Sequence, residues 1–140
     1  MTAVLCYDGS DGARHALAAA ARVLGGRDAI VLTLVVSLAP EVFQGRVEAL
    51  PEHAEARRVA EEGVQLARAA GFAAHAVVEV TAAHAGDRIV AFAETRGADV
   101  IVVGARGLSA VKAALLGSVS QAVVQHARTP VLVVPAPREP

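Results

Sequence analysis

Val100-Ile101-Val102-Val103 is a continuous β-branched run that leads directly into Gly104-Ala105-Arg106-Gly107, and nine residues separate Gly107 from Gly117 and Ser118. An apolar run of this length without polar alternation is what a strand looks like when helices cover both faces of its sheet, the parallel α/β situation. Glycine lets the backbone turn sharply and approach a ligand closely. The N–H groups that open a following helix are unpaired and point at whatever lies in front of them. The stretch therefore reads as a buried strand that delivers an anion-binding loop of pattern Gly-x2-Gly-x9-Gly-Ser, with a phosphate as the expected occupant.

Outward from this strand, similar runs rich in Val, Ile and Leu occupy 3–7, 29–36 and 130–134, and a fifth at 73–80 carries His75 and Glu79. The polar alternation of that fifth run predicts an edge strand. Between the runs, Ala13, Leu17, Ala20 and Leu24 repeat at helical spacing, as do Ala56, Val59, Ala60, Gly63 and Ala67. The same holds for Ile89, Val90 and Ala93, and for Val119, Ala122, Val123 and Ala127. Each set lays an apolar stripe along one helix face. Gly25, Gly71 and Gly97 stand where three of these helices should end. The expected order is βαβαβαβαβ, and short right-handed crossovers restrict it to a doubly wound topology. Residues 37–52, with Pro40, Gly45 and Pro51, form the longest apparent connection, a candidate flap or partner surface or a plain irregular crossover. The tail 135–140 carries three prolines and reads as a frayed terminus.

A chain of 140 residues is expected to form a single domain, 1–140, around one core. Hydrophobic residues at 54% and charged residues at 19% exclude a disordered chain. A net charge of -1 offers neither a nucleic acid nor an anionic membrane the clustered Lys and Arg that both require, so a small ligand fits better. The N-terminus leads straight into Ala3-Val4-Leu5-Cys6-Tyr7, without a basic region or cleavage site, which predicts a cytoplasmic protein. The single cysteine, Cys6, lies inside that run, where packing is a better reading than redox chemistry.

Ligands of open α/β sheets sit outside the carboxyl ends of the strands, where the winding reverses. Two strand ends here are polar: Tyr7-Asp8-Gly9-Ser10 and Gly104-Ala105-Arg106-Gly107. Asp8 could accept from a ribose hydroxyl or an adenine amino group; it and Ser10 could equally turn the chain and cap the first helix. Ser118-Val119-Ser120-Gln121 matches a capping box, which would account for Ser118 but not for the glycines. Arg106 and Lys112 could pair with phosphate oxygens or stand in solvent. The chain lacks Gly-x4-Gly-Lys-Ser/Thr, a dinucleotide fingerprint and a Gly-x-Ser-x-Gly elbow, and its five histidines show no i, i+4 pair, so no catalytic residue and no metal ligand is assigned.

Val102-Val103-Gly104-Ala105-Arg106-Gly107, Leu116-Gly117-Ser118-Val119-Ser120 and Thr129-Pro130-Val131-Leu132-Val133-Val134 strongly resemble the universal stress protein family, as does Tyr7-Asp8-Gly9-Ser10 at the first loop. The resemblance spans the chain. It implies a five-stranded parallel sheet of order 3-2-1-4-5 with helices on both faces, and a homodimer formed through the last strand, Val131 to Val134. It further implies ATP binding, because the complete glycine pattern marks the nucleotide-binding members. Carried over by position, Asp8 would hold ribose or adenine, and Val35 would touch adenine, with Val36 fitting the same place. Val103, Gly104 and Gly107 would line the loop, with Arg106 as a further contact, and Gly117, Ser118, Val119 and Ser120 would receive the phosphates. The expected protein is a nucleotide-binding stress-response regulator or sensor, with any Mg²⁺ held mainly through the phosphates. A slow ATPase, an AMP- or cyclic AMP-binding protein and a ligand-free dimeric interaction protein are the alternatives.

Overall fold

A computed structural model describes residues 1–106 and 116–137 of the chain. Gly107 and Lys112 lie outside the described residues, as do the last three residues of the proline-bearing tail.

Five strands, β1 (Thr2–Cys6), β2 (Asp28–Val36), β3 (Ala73–Thr81), β4 (Val100–Gly104) and β5 (Val131–Val134), form one sheet of order β3-β2-β1-β4-β5. All four pairings are parallel, and Val4 stands opposite both Ile30 and Ile101. The helices are α1 (Asp11–Leu24), α2 (Pro40–Phe43), α3 (Pro51–Ala69), α4 (Ala85–Thr95) and α5 (Ser118–His126). The α/β expectation and its strand order hold, with β3 at one edge as its His75 and Glu79 suggest.

Side chains alternate across the sheet, so the run Ala3-Val4-Leu5-Cys6-Tyr7 feeds two cores at once. Ala3, Leu5 and Tyr7 join Val31, Val102 and the apolar stripes of α1 and α3 on one face. Val4, Ile30, Leu32, Ile101 and Val103 pack with Ile89 and Phe92 of α4 and Val123 of α5 on the other. Both faces of the central strands are thus dry, the physical reason for their unbroken hydrophobicity. Close helix packing on the first face depends on Gly63 of α3: a Cβ there would stand 2.7 Å from Tyr7 Cδ1 and 2.8 Å from Val31 Cγ1.

The connection 37–52 has more structure than the sequence suggests. It holds the single turn α2, with Pro40 at its first position, and a 3-10 turn at Val47–Ala49. Leu50 precedes α3 as a buried anchor, and Pro51 opens the helix. Gly25, Gly71 and Gly97 all take positive φ behind their helices, as expected of C-terminal caps. Among the described residues, no helix is long and apolar enough to cross a membrane.

Candidate functional site

Order 3-2-1-4-5 reverses the direction of winding between β1 and β4, and a cleft of about 340 Å³ opens at the carboxyl ends of those strands. The first loop reaches it from β1. The buried Thr33 hydroxyl of β2 donates to the Tyr7 carbonyl at 2.8 Å and so fixes where β1 ends. Gly9, at φ 82, then turns the chain in a region costly for any residue with a Cβ. The Ser10 N–H donates to Asp8 Oδ1 at 2.9 Å, and Ser10 Oγ accepts from the Ala13 N–H at 3.1 Å as the N-cap of α1. Asp8 therefore closes the turn and also lines the cleft. The turn and the helix cap expected of this loop are both formed.

Across the cleft stand the end of β4 and the start of α5. The sequence suggests a capping box with Ser118 as cap; the helix instead begins one residue earlier. Gly117 is the N-cap, at φ -75 and ψ 170, and supplies no side-chain cap. Ser118 is the first helical residue, and Gln121 N–H already bonds the Gly117 carbonyl at 2.9 Å, so the reciprocal Ser–Gln geometry is not formed. The N–H groups of Ser118, Val119 and Ser120 have no partner within the helix and carry the positive end of its dipole, roughly +0.5 of a charge. These three residues line the cleft.

The glycines at this end have different physical reasons. A Cβ on Gly104 would stand 3.2 Å from the Gly12 carbonyl, a tight contact in which α1 would have to give by a few tenths of an ångström. For Gly117, the nearest described atoms to such a Cβ are Ala105 O at 3.6 Å, Arg106 Cα at 3.7 Å and Ser120 Oγ at 3.9 Å, ordinary contacts all. The described part of the fold gives Gly117 no reason to be glycine, and its φ gives none either.

Eight of the ten residues singled out from the sequence border this cleft: Asp8 from the first loop, Val103, Gly104 and Arg106 from the β4 end, and Gly117, Ser118, Val119 and Ser120 from the α5 end. Gly107 lies outside the described residues. Val35 does not border it; Leu32 and Leu34 do, because they share the β2 face of Ile30 while Val35 lies on the other, and Val36, though on the Leu34 face, is exposed and does not border it. Ala85 and Ile89 of α4 complete the apolar wall and carried no signal of their own in the sequence beyond helical periodicity.

Cys6 also lines the cleft, and its thiol is pushed up to about 12, first by burial and then by the negative Asp8 beside it. It stays a thiol at neutral pH. On the far side of β1, the Tyr7 hydroxyl donates to Glu62, which also receives Arg14 at 3.0 Å. Among the described residues, no group of three or more His, Cys, Asp or Glu side chains is placed to hold a metal ion.

The sequence model of the universal stress protein family matches residues 1–135. The chain belongs to the universal stress protein family. A universal stress protein of Thermus aquaticus is 38% identical over 140 residues, covering 95% of this chain and 97% of that protein. A solved structure of a protein of Methanocaldococcus jannaschii superposes with a TM-score of 0.82 at 26% identity, covering 99% of this chain and 97% of the other. The universal stress protein of Archaeoglobus fulgidus, solved in complex with dAMP, superposes with a TM-score of 0.72 at 27% identity, covering 96% of this chain and 97% of that one.

Proposed function

We propose that this universal stress protein binds ATP in the cleft between β1, β4 and α5 and acts as a cytoplasmic, single-domain stress-response regulator. The observation that carries the reading is the start of α5, which has no side-chain cap among the described residues and whose first three residues line a cleft with an apolar wall on its other side. A volume of about 340 Å³ falls in the range of roughly 300–1,000 Å³ common to small-ligand sites. Leu32, Leu34 and Ile89 suit a flat apolar base, Asp8 a ribose hydroxyl or amino group, and the backbone of Gly117 to Ser120 the phosphates. Arg106 and Gly107 would add to the phosphate end, and any Mg²⁺ would be held through the phosphates rather than by a protein cage.

The Archaeoglobus relative's dAMP complex supports an adenine nucleotide and favours a second reading, in which a monophosphate is the resident ligand. Calorimetric titration with ATP, AMP, cyclic AMP and adenosine separates the two. Affinity that rises with phosphate number supports ATP; equal affinity for AMP and ATP supports the monophosphate; no heat with any of them defeats both. A single-turnover phosphate-release assay with rapid turnover would make the protein an enzyme instead.

The same reading includes a homodimer through β5. Val131, Leu132 and Val133 are half-buried on an edge strand. The carbonyls of Pro130 and Val134 accept from β4 and its loop, so strand alternation turns the backbone groups of Val131 and Val133 outward. Pairing with a second copy would cover that edge. Sedimentation velocity at micromolar concentration should give a dimer, and a monomer there would overturn this part of the reading.

A further inference from the structure

Ala105 and Arg106 follow the end of β4, and their carbonyls are held from two sides. The Ala105 carbonyl accepts from the Gly117 N–H at 2.7 Å and from Ser120 Oγ at 2.8 Å. Ser120 is buried, at 3% exposure, and its hydroxyl also reaches the Gly117 carbonyl at 3.1 Å. The Arg106 carbonyl rests on α1: a Cβ on Gly12 would stand 2.6 Å from it, closer than a real Cβ tolerates. Gly104 meets the Gly12 carbonyl in return. The start of α1, the end of β4 and the start of α5 thus meet at Ala105 and Arg106, with the Gly12 backbone on one side and the Gly117 N–H and the Ser120 hydroxyl on the other.

Resting on the reading of the cleft as a nucleotide site, we propose that Ser120 and Gly12 are positioning residues that fix the first turn of α5 against the β4 loop at the separation a phosphate chain requires. A serine hydroxyl has one proton. That of Ser120 is directed to backbone carbonyls, so the side chain holds the helix start in place and does not donate to the ligand. The residue would meet phosphate only through its backbone N–H. The hydroxyl available for direct contact is that of Ser118, exposed at the first helical position. Gly12 acts from the other side, because only the absence of its Cβ lets the Arg106 carbonyl sit where it does.

The test uses Ser120→Ala, Ser120→Thr, Gly12→Ala and the Ser120→Ala/Gly12→Ala double variant, each titrated with ATP and with adenosine. Loss of one hydrogen bond to the loop should weaken ATP roughly tenfold in Ser120→Ala and leave adenosine unchanged. Ser120→Thr, which keeps the hydroxyl, should recover most of the affinity. Gly12→Ala should show the same phosphate-dependent loss, and the double variant should lose less than the product of the two, since both act on one loop. Without nucleotide, Ser120→Ala and Gly12→Ala should each speed amide exchange at Gly117, whose N–H bonds the Ala105 carbonyl. Equal weakening of ATP and adenosine, unchanged ATP affinity in a Ser120→Ala protein that melts like the wild type, or unchanged Gly117 exchange would each overturn the proposal. Absence of ATP binding by the wild type, with the exchange effect intact, would defeat the nucleotide reading and leave the backbone clamp standing.

Discussion

Gly117 is the position where the demands of the fold and of the ligand separate most cleanly. At φ -75 and ψ 170 it has an ordinary extended backbone, and a Cβ would meet described atoms no nearer than 3.6 Å. Replacing it by alanine removes unfolded-state freedom, worth about 0.4–1 kcal/mol in favour of the variant. Alanine is also the poorer N-cap, by roughly 0.5–1 kcal/mol. The two effects nearly cancel, so Gly117→Ala should melt within a few degrees of the wild type. Binding should respond differently. Gly117 lies at the mouth of the N–H groups of Ser118 to Ser120, and valine there adds two further methyl groups where a phosphate must approach. If two charge-assisted hydrogen bonds at roughly 1.5–3 kcal/mol each are lost, Gly117→Val should bind ATP over about a hundredfold more weakly. Adenosine should bind Gly117→Val about as well as the wild type. Isothermal titration of both ligands, with a thermal melt of each variant, makes the measurement. A folded Gly117→Val protein with wild-type ATP affinity would refute the assignment of the phosphates to α5.

Other consequences follow from the packing and the charges. Gly63→Ala should lose about 1–3 kcal/mol in urea unfolding, because its Cβ would enter contacts of 2.7 Å and 2.8 Å with Tyr7 and Val31; a neutral result would mean that α3 can shift away from the sheet at little cost. Cys6 should alkylate slowly with iodoacetamide at pH 8 despite bordering the cleft, since burial and Asp8 hold its thiol up at about 12; rapid labelling by mass spectrometry would contradict that environment. Hydrogen bonds from Tyr7 and Arg14 hold the Glu62 carboxyl below its usual range, so its contribution is present above the unfolded value near 4.5 and is lost as pH falls through the folded one. Glu62→Gln should therefore flatten the acid limb of a stability profile, and identical limbs would remove the pair from the account. Tyr7 has the opposite sign: burial and then Glu62 raise it to about 12, so its share is complete below the unfolded value of about 10 and is lost as pH rises through about 12.

The strand runs were readable to within a residue or so because β1, β2 and β4 are buried on both faces, a condition that selects Val, Ile and Leu at consecutive positions. That same burial hid the phase of β2. Without polar alternation, nothing in Thr33-Leu34-Val35-Val36 tells which residue faces the cleft, and Leu34 rather than Val35 does. The polar ends at Asp8 and Gly104 were legible because loops at carboxyl ends carry chemistry on such sheets. The start of α5 was misjudged by one residue, since a serine three before a glutamine satisfies the capping pattern in sequence while the β4 loop holds the serine at 120 instead. Gly12 was passed over for a different reason. A glycine early in a helix looks merely weak, and its role depends on the Arg106 carbonyl, which only the fold brings near.

An adenine nucleotide in this cleft, with its phosphates on the start of α5, would be read out by a titration followed amide by amide. With ATP, the N–H signals of Ser118, Val119 and Ser120 should move furthest, together with Gly104 and residues of the first loop. Adenosine should shift the signals near Asp8 and Leu34 and leave those of α5 nearly in place. ATP that shifts no amide around the cleft, or that shifts α5 no more than adenosine does, would contradict the account.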